Sequence, residues 1–191
     1  MSARREELTR IAARLFAERG YQGTSLADLA AELGVQKPSL YHHIASKEDL
    51  LWEVAWEGAE AFHAGLDAVP ADAPAVERIR LALRAHLAVV AGQLDVATVF
   101  VREWRHLEGA RRERFVVERR RYEARIRDLF REGVEGSELR TDLDVSTAAL
   151  LFLSAANWAY TWLRPGADTV ELADRLYAAL LDGMRGYATP G

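Results

Sequence analysis

Residues 24–51, TSLADLAAELGVQKPSLYHHIASKEDLL, confine the chain locally to two short helices, a tight turn between them, and a freshly capped third helix. Ser25 supplies a hydroxyl N-cap with Asp28 at the third helical position, a weaker relative of the capping box. Leu26, Leu29, Ala30 and Leu33 then recur at helical spacing, so the first short helix has one apolar face. Gly34 tolerates the left-handed backbone that ends a helix and turns the chain, and Val35 plugs that turn. Pro38 suits the first turn of the next helix, where a backbone N–H is dispensable. Helices this short cannot stand alone, because nucleation is costly and each buries little. Holding the second one outward, with Leu40 and Ile44 pointing back, is the arrangement that presents a helix to the major groove of DNA.

A helix–Gly–helix turn is also common inside ordinary bundles, and the detail of the sequence separates the two readings. GVQKPSLYHHIASKEDLL resembles the DNA-binding head of the tetracycline-repressor (TetR) family, whose members show a GVSxxTLYxHFxSKExLL pattern. Gly34, Val35, Lys37, Leu40, Tyr41, His43, Ser46, Lys47, Glu48, Leu50 and Leu51 fall on it. Gln36, Pro38 and Ile44 depart from it: Gln36 weakens the expected helix cap, and Ile44 changes packing only. The resemblance implies an all-α protein with an N-terminal helix-turn-helix head over residues 1–47 and a helical ligand-binding and dimerisation body over residues 48–191. It places helix 37–43 in the groove, with Gln36, Lys37, Ser39, Tyr41 and His42 near bases or phosphates. Ser25 and Lys47, at helix starts whose exposed N–H groups favour phosphate oxygens, are expected to hold the DNA backbone.

The net charge of −4 fits a DNA-binding protein only once it is divided. Residues 1–45 hold six Lys/Arg and five Asp/Glu, a balance of +1, and the remainder holds 19 basic and 24 acidic residues, a balance of −5. Attraction to DNA must therefore be local, through Arg4, Arg5, Lys37 and Lys47, and so weakly charged a head needs a second one beside it. Cysteine is absent, which excludes disulfides and thiolate metal sites and makes a reducing cytoplasm the natural setting. The first helix is basic and amphipathic but carries Glu6, Glu7 and Glu18, unlike a signal peptide. The longest apolar run, 148–156, is broken by Ser154 and is too short to span a bilayer, so no membrane partner is expected.

Beyond the head, no strand-like alternation persists. Leu8, Ile11, Ala12, Leu15 and Phe16 stripe a first helix that Gly20 stops. Ser46 caps a long fourth helix, and VPADAP, with Pro70 and Pro74, is the clearest internal break. Further helices are predicted near 75–91, 95–106, 109–135, 144–163 and 168–187. The arginine-rich helix 109–135 reads either as a solvated face laced with pairs such as Glu123–Arg127 or as a basic rim that attracts a phosphorylated ligand. Helix 144–163 is apolar on nearly every side, so one face must meet something other than its own chain. A twofold dimer, pairing this helix and 168–187 with their symmetry mates, meets that need.

The body carries a narrower resemblance. FVREWRHL at 100–107, the arginine-rich helix, the run 133–144 and NWAYTWLRPGAD at 157–168 are similar to the acyl-CoA-responsive TetR regulators of fatty-acid, aromatic-acid and sterol degradation. Leu163 and Ala167 depart from that subgroup's NWxxxWYRPGG pattern. The resemblance implies an acyl-CoA effector held by Phe100, Trp104, Arg105, Arg119, Tyr122, Trp158, Trp162 and Arg164, aromatic residues against the acyl group and arginines against the CoA phosphates. Core or dimer packing is the competing role of Trp104, Trp158 and Trp162.

A rival class is a di-iron carboxylate protein, because Glu60/His63 and Glu103/His106 both show Glu-x-x-His spacing. Arg102 and Arg105 flank the second pair and would repel a dication. No Gly-rich phosphate loop, nucleophile elbow or zinc-spaced cluster occurs, so neither catalysis nor a cofactor is expected. The expectation is a homodimeric repressor on operator DNA, reading half-sites about 34 Å apart and released when an effector shifts helix 95–106 and the long fourth helix.

Overall fold

The computed structural model describes residues 3–163 and 167–182. Among these the chain is helical without a strand: α1 (Ala3–Arg19), α2 (Leu26–Leu33), α3 (Lys37–Leu40), α4 (Lys47–Asp67), α5 (Ala75–Gly92), α6 (Leu94–Arg102), α7 (Gly109–Glu135), α8 (Val145–Asn157) and α9 (Thr169–Asp182). Single 3-10 turns follow α6, at Glu103–His106, and α8, at Trp158–Thr161. The helices expected at 95–106 and 144–163 therefore each end in a tighter turn, a common way for a helix to close on its last unsatisfied carbonyls. Residues 183–187 of the expected last helix lie outside the described residues.

The chain divides into two compact units. The first comprises the segment up to Ala61 together with Gln93–Glu118, and the second comprises Phe62–Gly92 together with the segment from Arg119 onward. The segment carrying α6 thus packs with the head, because α6 lies along α1.

In the first unit, Leu8, Leu15, Phe16, Leu29, Leu40, Leu50, Leu51 and Val54 form a fully buried core. The head's local structure follows its capping residues. Ser25 Oγ accepts the Asp28 N–H at 3.1 Å and Asp28 accepts the Ser25 N–H at 2.8 Å, so the capping box is complete rather than weak. Gly34 ends α2 at φ 71°, where its own N–H reaches the Ala31 carbonyl at 3.1 Å and Val35 closes onto Ala30 at 2.9 Å. Ser46 and Asp49 cap α4 in the same reciprocal way.

The reading helix is shorter than expected. Gln36 makes no side-chain cap, and regular α-helix stops at Leu40. Residues 41–43 continue in turns that bond three residues back, Tyr41 to Pro38, His42 to Ser39 and His43 to Leu40. Buried Ile44, whose N–H returns to the Leu40 carbonyl at 3.0 Å, pins the end of this turn to the core.

In the second unit, α5 packs on α8 and α9. Glu138 caps α5, accepting the N–H groups of Ala75 at 3.0 Å and Val76 at 3.1 Å, which settles the break at Pro74. Arg84 and Arg80 of α5 both reach Asp174 of α9. α8 buries Ala148, Ala149, Phe152 and Ala156 on one side only, leaving Leu150 64% and Leu151 49% exposed on the other.

Candidate nucleic-acid interface and effector-facing residues

Gln36, Lys37, Tyr41 and His42 are exposed on the turn 36–42, Ser39 is half-buried, and Tyr41 shows 54% of its surface. These five residues come together on one short surface element, the one that Leu40 and Ile44 anchor from beneath. Lys37 has no ion pair among the described residues, and it is the cation that this surface offers.

The other expected cations are engaged. Arg5 makes a bidentate bond to Glu53, which also accepts from the Thr9 hydroxyl at 3.0 Å. Arg4 is shared between Glu7 and the Leu33 carbonyl. Lys47 is not an outward-pointing side chain: its Nζ donates to the carbonyls of Tyr21 and Thr24, each at 2.8 Å, and lies 4.1 Å from the centre of the Tyr21 ring. Burial holds its pKa below the usual lysine range. The Ser25 hydroxyl is likewise occupied, donating to Asp28 at 2.6 Å while accepting its N–H. A phosphate at this helix start would meet the backbone N–H groups of the first turn of α2 rather than the serine side chain.

The connector between α1 and α2 is gripped from several sides within the first unit. Gly20 takes φ 78°, a left-handed conformation that turns the chain after α1. The next residue, Tyr21, donates its N–H to the carboxylate of Glu103 at 2.9 Å. Its ring stacks on His106 at 5.4 Å and meets Phe16 edge-on at 5.3 Å. Glu103, only 6% exposed, and His106 both belong to the 3-10 turn after α6. The Glu-x-x-His pair at 103/106 is therefore a structural clasp on the head. At 60/63, Glu60 accepts the Trp56 indole N–H at 2.8 Å, and His63 lies 3.4 Å from Arg125.

α6 meets α4 with almost no space between them. A Cβ added at Gly58 would stand 2.8 Å from the Phe100 Cβ, so only glycine permits this approach. Phe100 in turn meets Phe115 edge-on at 5.5 Å, and Trp104 stacks on Phe115 at 5.7 Å. Phe100 and Trp104, expected against an effector, thus share one aromatic cluster, and Arg105 lies exposed over the Trp104 ring at 5.7 Å.

The remaining expected effector residues fall in the second unit and do not form one cluster. Tyr122 is buried, and its hydroxyl stands 3.0 Å from His86 Nδ1. Burial raises the tyrosine's pKa. Arg119 pairs with Glu123 at 3.8 Å, so that carboxylate faces Arg119 rather than the expected Arg127. Trp158 and Trp162 are 62% and 40% exposed. Arg164 lies outside the described residues. A cavity of about 320 Å³ in this unit is lined by Leu66, Val69, Leu129 and the charged groups of Arg78, Arg125 and Glu132.

Two residues with positional weight are not singled out by the sequence pattern. Gly58 carries no signal beyond being a glycine inside a helix. His86 does carry one, since it interrupts the buried stripe Ile79, Ala82, Leu83, Leu87 and Val90 on α5.

A helix-turn-helix head followed by a helical body defines a bacterial regulatory protein that works on DNA. Residues 8–54 match the family described as bacterial regulatory proteins, tetR family, and residues 72–184 match the tetracyclin repressor-like C-terminal domain. The chain belongs to the TetR family. It is 32% identical over 201 residues to the HTH-type transcriptional repressor KstR2 of Rhodococcus jostii, covering 96% of this chain and 92% of that protein. The structure of the ketosteroid transcriptional regulator KstR2 of Mycobacterium tuberculosis is similar with a TM-score of 0.89 at 26% identity, over 97% of each chain. AibR in complex with isovaleryl coenzyme A and operator DNA is similar with a TM-score of 0.83 at 29% identity, over 92% of this chain and 97% of that one. The match thus extends through the body as well as the head. Among the described residues, no single helix is long and apolar enough to cross a membrane.

Proposed function

We propose that this TetR-family protein is a homodimeric repressor that leaves its operator when an acyl-CoA thioester binds its body. The observation that carries the reading is the unbroken route from Phe100 to the head. Phe100 touches Gly58 of α4, and the turn that follows α6 holds Tyr21 through Glu103. An acyl group against Phe100 and Trp104 would displace α6, and Glu103 would carry that displacement to the α1–α2 connector. Release then follows if the effector binds the displaced state more tightly than the DNA-bound one.

The exposed apolar side of α8, with Leu150 and Leu151, and Trp158 of the turn that follows it support a twofold pairing of α8 and α9 with their mates, since side chains this large are costly to leave in water over so wide a patch. AibR, bound in its solved structure to both isovaleryl coenzyme A and operator DNA, supports the effector class. Two heads on one DNA face would meet half-sites about 34 Å apart. No cofactor enters this scheme, and the effector is the only small molecule it requires.

One observation favours a second reading, a hydrophobic effector without CoA. Arg111, Arg119 and Arg125 of α7 are already paired with Asp49, Glu123 and Asp67, and Arg114 lies over Trp52 and Trp56. That arrangement draws much of the arginine-rich helix into internal pairs. A panel of CoA thioesters, the corresponding free acids and CoA alone, tested for release of the protein from its own upstream DNA, separates the readings. Release by thioesters only supports the first, and release by free acids at equal concentration supports the second.

A further inference from the structure

His86 is a costly residue for the place it occupies. It lies on the apolar stripe of α5 between Leu83 and Leu87, 1% exposed, with its ring 4.5 Å from that of Phe62. A leucine there would fill similar space without burying two ring nitrogens, at the cost of the partner that the Tyr122 hydroxyl meets. One ring nitrogen is accounted for: Nδ1 stands 3.0 Å from the Tyr122 hydroxyl. The other, Nε2, is buried and has no hydrogen-bond partner among the described residues.

The Tyr122 hydroxyl decides which nitrogen carries the proton. Tyr122 is itself buried, and His86 is the hydrogen-bond partner its hydroxyl meets. A phenol donates more readily than a neutral imidazole, so the tyrosine proton points at Nδ1, which accepts. The imidazole proton is then on Nε2, and the open group is a donor. Its surroundings are aromatic. Phe62 and Tyr122 flank the ring, and His63 meets Tyr122 edge-on at 5.6 Å. A buried, neutral N–H among aromatic rings suits an uncharged acceptor, because a carboxylate would lose its hydration there without meeting a positive charge.

We propose that the Nε2–H of His86, oriented through Nδ1 by Tyr122, is the buried donor that receives the carbonyl oxygen of the effector, the thioester carbonyl of an acyl-CoA. The inference rests on the acyl-CoA class of effector, not on a contact of its acyl group with Phe100 and Trp104, and adds the atom that reads the acyl linkage. It assigns Tyr122 the part of a positioning residue, which fixes the tautomer and need not touch the ligand. It also gives a physical reason for rejecting free acids that is independent of the CoA phosphates.

The test removes the carbonyl from one side and the donor from the other. Dodecanoyl-CoA and S-dodecyl-CoA, a thioether lacking only the carbonyl oxygen, are titrated calorimetrically into the full-length protein and its His86→Leu and Tyr122→Phe variants. Wild type is expected to bind the thioester about tenfold more tightly than the thioether, the value of one buried hydrogen bond. His86→Leu should bind both ligands with the affinity that wild type shows for the thioether. Tyr122→Phe should show a reduced preference, because the imidazole is then free to take either tautomer. Equal binding of the two ligands by wild type, or an undiminished preference in His86→Leu, overturns the proposal. Should His86→Leu fail to fold, the wild-type and Tyr122→Phe titrations decide alone. If wild type binds neither ligand nor any other acyl-CoA of a series spanning short, long and aromatic acyl groups, the acyl-CoA reading itself fails and takes this inference with it. That outcome differs from a loss of preference, in which both ligands still bind.

Discussion

The backbone N–H of Tyr21 donates to the carboxylate of Glu103 at 2.9 Å, joining positions 82 residues apart. One side of this bond is the connector that sets the angle between α1 and the helix-turn-helix, and the other is the turn that ends α6. Glu103→Ala leaves that half-buried N–H without its acceptor and should lower stability by about 1 kcal/mol. The same variant should still bind operator DNA but release it less completely at saturating effector. Glu103→Gln, whose amide oxygen can accept the same bond, should retain most of the wild-type release. Denaturant titration and operator-release curves on both variants check this, and full release by Glu103→Ala would show that the clasp carries no signal.

The two lysines of the head should behave differently. Lys37 is exposed on the reading turn, so Lys37→Ala should weaken operator binding and lower the magnitude of its salt slope by about one unit for each phosphate the side chain no longer neutralises. Lys47 holds the Tyr21 and Thr24 carbonyls. Lys47→Met should lower thermal stability, by about 1–2 kcal/mol for a partly exposed charged donor, while leaving the salt slope near its wild-type value. Tyr41→Ala should weaken binding with helicity intact. Fluorescence anisotropy at several salt concentrations distinguishes these outcomes.

The apolar side of α8 predicts where the proposed dimer breaks. Leu151 is 49% exposed in one subunit, so Leu151→Glu leaves the fold of the subunit unstrained but places a carboxylate in the proposed interface. Burying an unpaired charge there costs several kcal/mol, enough to shift association by orders of magnitude. Sedimentation should show a folded monomer with weakened operator binding. A wild-type monomer at micromolar concentration, also on DNA, would contradict the two-headed arrangement.

His86 gives the protein a defined acid limb. Burial pushes its imidazole from the ordinary 6.5 down to about 3, so the folded chain keeps it neutral over a range where the unfolded chain protonates it. Between those values the unfolded state binds more protons, and stability therefore rises with pH. The contribution is intact above pH 6.5 and is lost as pH falls toward 3, at about 1.4 kcal/mol per pH unit. Between pH 7 and 5 wild type should lose about 2 kcal/mol relative to His86→Leu. Urea denaturation of both proteins at the two pH values measures the difference, and equal losses would show that His86 is hydrated in the folded state.

Much of this architecture is legible in the sequence, and the exceptions share a cause. The α2 cap at Ser25, the left-handed Gly34 and the stripe beneath the reading turn are encoded within a few residues of one another, so local spacing finds them. The two sides of α8 follow from its having more apolar residues than one face can use. The orientation of Lys47 does not follow, because its carbonyl partners are at positions 21 and 24 and belong to another turn of the head. Glu103 reads as a candidate metal ligand because its spacing to His106 is local, whereas its partner Tyr21 is distant in sequence. The reading helix comes out too long because the pattern 37–43 fixes which side chains point outward but not that the backbone tightens after Leu40.

The central claim is that an acyl thioester in the body releases the head from DNA. Its most direct measurement is the anisotropy of a labelled fragment of the chain's own upstream DNA, bound by the full-length protein and titrated with acyl-CoA thioesters of increasing chain length. The account predicts release by at least one thioester, saturating at one molecule per subunit, with CoA alone inactive and the matching free acid much weaker. DNA that stays bound at saturating concentrations of every thioester, while the protein remains folded and dimeric, would contradict it.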